Sequence, residues 1–197
     1  MTTRVFVSIL VLSLFSCKPS SEDYNLLSTG ISRELADFRK QQLSDIVYDL
    51  EFSIPEKLED SIPASLDLTL TIHDSSQPLY LDFNVEKGHV SKVIANTEVI
   101  EIIHEQEHVI ISSEYLKEGK NHIEIAFTAG EQSLNRNEDF LYTLLVPDRA
   151  STLFPCFDQP NLKATYNLSI TAPQDWEVLA GAPEQEQSKN GNFHHTP

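Results

Sequence analysis

Along most of the chain, apolar residues return at every second position. Tyr48, Leu50, Phe52 and Ile54 alternate with Asp49, Glu51 and Ser53 until Pro55 stops the run. Leu66, Leu68, Leu70 and Ile72 alternate with Asp67, Thr69 and Thr71. Leu79, Leu81 and Phe83 follow Pro78, and a looser run of Val90, Val93 and Ile94 ends at Asn96-Thr97. A period of two places one set of side chains on each face of a strand. Val99 to Ile103 and His108 to Ser112 are β-branched runs, and Gly119-Lys120-Asn121 reads as a turn before Ile123, Ile125 and Phe127. Leu141 to Val146, Ala164 to Ile170 and Trp176 to Leu179 complete the expected strands. One stretch has helical spacing instead: Ile31, Leu35, Phe38 and Gln42 fall on one stripe, with Ser28 or Ser32 as cap. Arg33, Glu34, Asp37, Arg39 and Lys40 are expected on its solvent side. The pattern predicts a mainly β protein, an antiparallel β-sandwich or saddle with one N-terminal helix.

The first residues stand outside that pattern. Arg4 precedes an apolar run from Val5 to Phe15, too short to cross a membrane as a helix. The run ends in Leu14-Phe15-Ser16-Cys17, which resembles a bacterial lipobox. That resemblance makes residues 1–16 a signal peptide, Cys17 a lipid anchor and residues 17–27 a polar tether, with the folded domain from 28 to 197. The competing reading is a plain secretory signal with an incidental Cys17. A lipoprotein belongs in the cell envelope, and Lys18 does not look like an inner-membrane retention signal, so an outer-membrane location is preferred.

Charge narrows the partners. With 14 Lys+Arg against 30 Asp+Glu, the net charge is -16, which repels a phosphate backbone, so no nucleic-acid partner is expected. Once Cys17 is lipidated only Cys156 remains as a thiol, and no intrachain disulfide can form.

His104-Glu105-Gln106-Glu107-His108 matches H-E-x-x-H literally. On a helix that spacing brings both imidazoles to one face, where they can grip zinc beside a general-base Glu. Here Val99, Ile100, Ile102 and Ile103 precede the motif and Val109, Ile110 and Ile111 follow it, which favours strands and a solvated hairpin end between them. In the gluzincin pattern, which the motif resembles, a Glu lies nineteen positions after the second His; that position here is Phe127. No metal or catalytic residue is therefore assigned to this chain. His73, His89 and His122 stand alone beside expected turns, and His194-His195 lies in a polar tail.

The stretch from Leu141 to Tyr166 is the most specific. Pro155 and Pro160 bracket Cys156, Phe157, Asp158 and Gln159, so neither a helix nor a central strand can pass through. Phe154 and Phe157 require burial, and Asp158 is placed to accept backbone N–H groups and lock the turn. Cys156, with apolar neighbours and no nearby His, reads as an inert buried thiol and not a nucleophile. Pro147, Ala150, Phe154, Pro155, Cys156, Phe157, Asp158, Gln159, Pro160, Lys163, Ala164 and Tyr166 together resemble the aminopeptidase N family signature P-x-x-A-x-x-x-F-P-C-F-D-[EQ]-P-x-x-K-A-x-[FY]. Leu81-Asp82, Ser133 to Arg136, Trp176 to Leu179 and the helix with Arg33, Leu35, Ala36, Arg39 and Lys40 extend the resemblance from about Ser28 onward.

The resemblance implies the N-terminal β-domain of a zinc metallopeptidase that removes N-terminal residues from peptides. It implies that zinc and the peptide's amino terminus are bound by a separate catalytic domain, whose motifs lie downstream of the signature and do not occur here. The partners implied are that catalytic domain, peptide substrate through it, and a membrane through Cys17. In the family a Glu or Gln just before the signature proline edges the substrate's first-residue pocket; here that position is Val146, which offers only apolar surface. Phe193 to Pro197 resembles the approach to a further strand of the domain, so a C-terminally incomplete domain, inactive as a fragment, is expected. The alternatives weighed are a free-standing lipoprotein β-domain for binding or scaffolding, and a small zinc hydrolase built on His104, Glu105 and His108.

Overall fold

The computed structural model describes residues 26–183, 188–190 and 193–196. Arg4, the apolar run and Cys17 lie outside the described residues. Among the described residues no helix is long and apolar enough to cross a membrane.

The single α-helix, α1 (Arg33–Gln42), starts at Ser32, whose hydroxyl accepts from the Leu35 amide. That bond satisfies one of the orphan donors of the first turn. Leu35 and Gln42 are buried as the stripe requires. Arg39, expected outside, is completely buried too.

Thirteen strands are described: β1 (Leu43–Ser53), β2 (Pro63–Ile72), β3 (Leu79–Asp82), β4 (Val90–Ala95), β5 (Glu98–Val99), β6 (Ile103–Glu105), β7 (His108–Ile111), β8 (Gly119–Thr128), β9 (Leu134–Arg136), β10 (Leu141–Thr143), β11 (Ala164–Pro173), β12 (Ser188–Asn190) and β13 (Phe193–Thr196). Eight form one large sheet in the order β12-β13-β11-β1-β2-β8-β4-β5; β3, β7 and β6 form a second sheet, and β9 and β10 a hairpin. The pairing is antiparallel except for one parallel pair, β1 with β11, in which Tyr48 faces Tyr166 and Phe52 faces Ile170. That pair is non-local, and the chain between its strands builds most of the domain.

Alternation became the core as the pattern requires. Tyr48, Leu50 and Phe52 of β1, Leu66, Leu68 and Leu70 of β2, and Ile123, Ile125 and Phe127 of β8 are all buried. They meet Leu79 and Leu81 of β3 and Val109 and Ile111 of β7 in one cluster. Phe127 stands edge-on to both Phe83 (5.5 Å) and Phe52 (6.3 Å), joining the two sheets.

Four expectations from the sequence are corrected. Gly119-Lys120-Asn121 opens β8 instead of forming a separate turn; Gly119 sits at φ 90°, and Asn121 is buried, accepting from the Lys117 amide and donating to the Lys117 and Gly119 carbonyls. The run Val99 to Ile103 is divided between β5 and β6: Asn96-Thr97 turns the chain from β4 into the two-residue β5, whose pairing with β4 stops at Val99, and β6 begins only at Ile103. Leu141 to Val146 is a strand only through Thr143, before Pro147. Trp176 to Leu179 carries no strand: the Trp176 amide bonds back to the Pro173 carbonyl in a turn, and Leu179 is 85% exposed.

Candidate functional site: the signature loop and its buried ion cluster

The H-E-x-x-H segment is a two-residue β-hairpin. Glu105 pairs with His108 and His104 with Val109, and Gln106 and Glu107 have φ of 50° and 67°. Two successive positive φ angles match the right-handed twist of the strands around a tight turn. Because successive residues alternate faces, His104 and His108 point to opposite sides of the hairpin. His104 stacks on Phe83 at 5.7 Å, with Nε2 on the Phe83 carbonyl. His108 places Nε2 2.9 Å from the Ser28 carbonyl and Nδ1 2.9 Å from Asp82. The motif does not fit a zinc ion. Its imidazoles diverge and face other partners, and among the described residues no three His, Cys, Asp or Glu side chains converge on a metal position. The hairpin was expected to be solvated, yet His108 is fully buried, since it reaches under the turn toward an acid. His122 is not solitary either: its Nε2 lies 2.6 Å from Asp67, across a strand pair on the sheet's outer face.

The acid that His108 meets organises the site. Asp82 is 4% exposed, at the end of β3. Both Asp82 oxygens receive the Arg39 guanidinium, at 2.6 and 2.8 Å, and Oδ2 also accepts the Asp158 amide at 2.9 Å. Arg39 donates further to the Tyr80 carbonyl and, at 3.4 Å, to Gln159, and lies 5.4 Å above the Phe157 ring. Burial alone would push the Asp82 carboxyl up; the His108 contact, the Arg39 charge and hydrogen bonds, and the Asp158 amide outweigh it and hold it below the ordinary carboxylate value. The His108 Nδ1 contact with Asp82 is close, at 2.9 Å, without the alignment of a good hydrogen bond.

The signature loop is built onto this acid. Asp82 and Cys156 exchange both backbone hydrogen bonds, at 2.7 and 3.0 Å, so the loop adds an isolated rung to β3. The Phe157 amide donates to the Tyr48 hydroxyl at 3.0 Å, and Tyr48 stacks on Tyr166 at 4.6 Å. Asp158 accepts the Ser151 amide at 2.9 Å, the turn lock expected of it. Gln159 is buried and donates to the Ala36 carbonyl of α1 and to Asn161. Phe154, Pro155, Cys156 and Phe157 are buried, whereas Pro160 and Lys163 are exposed. Burial pushes the Cys156 thiol well up, and the nearby Asp158 and Asp82 charges push it further, so it is no nucleophile at neutral pH. Gly130 lies under the loop: a Cβ there would fall 2.0 Å from the Thr152 carbonyl oxygen.

Beside the loop an apolar groove of about 760 Å³ is lined by Tyr142, Leu145, Phe154, Leu168, Ile170 and Trp176, among others. Tyr142 and Tyr166 are about half exposed at its rim, and Val146, the residue after Leu145, is 88% exposed. Exposed apolar surface on this scale is typical of an interaction surface or a ligand groove.

Sequence reasoning found the loop residues but missed Arg39, Asp82 and His108 as one cluster. Leu81-Asp82 was noted only as part of the resemblance, and no local signal ties an acid after a strand to an arginine on a distant helix.

A family model described as the Peptidase M1 N-terminal domain matches residues 45–197. Aminopeptidase N of Streptomyces lividans is 26% identical over 182 residues, covering 86% of this chain and 21% of that protein. Glutamyl aminopeptidase of Bos taurus is 26% identical over 178 residues, covering 77% of this chain and 18% of that protein. The crystal structure of an M1 zinc metallopeptidase from Deinococcus radiodurans superposes with a TM-score of 0.65 at 19% identity, over 79% of this chain and 38% of that one. The chain thus spans about a fifth of the length of these curated relatives.

Proposed function

The chain belongs to the Peptidase M1 N-terminal domain family, and from that premise we propose that it is the non-catalytic N-terminal domain of a membrane-anchored zinc aminopeptidase. The observation that carries the reading is the signature from Pro147 to Tyr166, folded as a buried loop in which neither Cys156 nor Asp158 is free for chemistry. On this reading zinc and the reacting peptide bond belong to a catalytic domain of a longer polypeptide. The chemistry zinc supplies there is activation of water for peptide hydrolysis.

This chain's own residues do a different task. Asp82, Arg39 and Tyr48 fix the signature loop from below, and the groove beside it offers apolar surface to the catalytic domain. Val146, exposed next to that groove, edges the substrate's first-residue pocket with apolar surface only. Cys17 carries the lipid that holds the enzyme in the cell envelope, with the outer membrane as the preferred site.

Reading the gene beyond the codon for Pro197 tests the proposal. A frame that continues into a G-x-M-E-N stretch and an H-E-x-x-H helix supports it, together with zinc-dependent release of N-terminal residues by that longer product. A stop codon in intact surroundings overturns it in favour of a free-standing lipoprotein domain for binding or scaffolding. Labelled palmitate that still incorporates after Cys17→Ala would refute the anchor.

A further inference from the structure

The segment before α1 is not loose against the domain. Leu26 is buried at 5% exposure, the Ser28 carbonyl faces His108 Nε2, and the Thr29 hydroxyl donates to Gln106 Oε1 at 2.6 Å. Gly30, at φ 72°, turns the chain past Glu107. The contacts of Ser28, Thr29 and Gly30 fall on the β6–β7 hairpin, a feature of the sequence that the proposed function leaves without a task.

We propose that residues 26–31 are a strap, that the His104–His108 hairpin is its clasp, and that His108 and Asp82 couple the strap to the signature loop. The link runs through adjacent contacts: Ser28 carbonyl to His108, His108 to Asp82, and Asp82 to both the Asp158 amide and the Cys156 backbone. Arg39 ties the same carboxylate to α1, the element that follows the strap. Arg39 and His108 are fully buried and Asp82 nearly so, so loss of the strap contact exposes His108 and frees one of the groups that orient Asp82. The strap and the loop therefore open as one local unit, separate from the β-sheet core. Taken with the anchoring reading above, a pull along the tether reaches the signature loop and the groove beside it. The coupling itself does not depend on lipidation.

The test uses the chain with Cys17→Ser, which leaves Cys156 as the sole thiol. Cys156 is sealed beneath the loop, so its modification by a water-soluble disulfide reagent under native conditions reports loop opening. His108→Ala, and separately a chain beginning at Ser32, should each speed that modification by about tenfold or more, while amide exchange in β2 stays slow. His108→Gln, which can still donate to the Ser28 carbonyl, should restore part of the protection. If removing the strap leaves the Cys156 rate unchanged, the coupling is wrong. The strapless chain retains His108, so the idea stays testable even where His108→Ala fails to fold.

Discussion

Replacing Asp82 with Asn should be among the most damaging single changes in the domain. The substitution keeps the volume but removes the charge that faces Arg39, whose side chain has no exposure to solvent. Arg39 cannot neutralise itself by losing a proton, so the variant buries an uncompensated guanidinium. Removing one partner of a buried ion pair costs about 3–5 kcal/mol. Against a total stability of roughly 5–15 kcal/mol that is about a fifth or more of the fold. With a urea slope of about 2 kcal/mol/M, the midpoint should fall by about 1.5–2.5 M at neutral pH. Removing both charges is a different perturbation. Asp82→Leu with Arg39→Met leaves no orphan charge, and should be more stable than Asp82→Asn alone. The sign with pH follows from the lowered Asp82 carboxyl. Its contribution is complete above the unfolded value of about 4 and is lost as the pH falls through the lower folded value. Parent stability should therefore drop on acidification through a limb that Asp82→Asn lacks. A cost under about 1 kcal/mol, or superimposable acid limbs for the two proteins, would refute the reasoning.

Three further outcomes follow from single contacts. Gly130→Ala would put a methyl 2.0 Å from the Thr152 carbonyl oxygen, so the loop must shift; chemical denaturation should show a loss of a few kcal/mol, on the order expected for overpacking. Tyr48→Phe strands the buried Phe157 amide without its acceptor, and should cost about 1–3 kcal/mol in the same assay while leaving the circular dichroism of the sheet unchanged. Ser32→Ala removes the hydroxyl that caps α1 and should cost about 0.5–2 kcal/mol, with faster amide exchange confined to the first turn.

The strands were legible because period two is a direct consequence of strand geometry: the alternating runs of β1, β2 and β8 became buried faces, while that of β11 lines the open groove with Tyr166 and Leu168. The failures cluster where alternation is not the deciding force. Trp176 to Leu179 has the composition of a strand, but a backbone has to pair to become one, and the turn after Pro173 carries it away from β11. The parallel pairing of β1 with β11 was invisible for a related reason: both strands alternate equally well in either direction, and direction is set by how the intervening chain returns. Nothing in residues 46–53 or 164–171 alone distinguishes the two.

The site shows a sharper version of the same limit. Arg39 occupies a helix position that hydrophobic periodicity treats as a gap, because the rule scores a charge as a reason to face water. That scoring assumes the charge has no partner inside. Here Asp82 stands at the end of a strand, with the Asp158 amide and His108 already around it, so the interior supplies what water would have supplied. The partner lies 43 residues away, beyond any local pattern. The H-E-x-x-H motif fails for the converse reason. Its residues are all present, but four positions apart is a convergent spacing only on a helix, and β-branched flanks made a hairpin instead. In both cases identity and spacing acquire chemical meaning only after the backbone form is known. That is why the aromatic and proline-bracketed loop, whose backbone is restricted by its own residues, was the part of the site that sequence could place: Pro155 and Pro160 limit its shape before any distant contact forms, and Phe154 and Phe157 then have only one way to leave water.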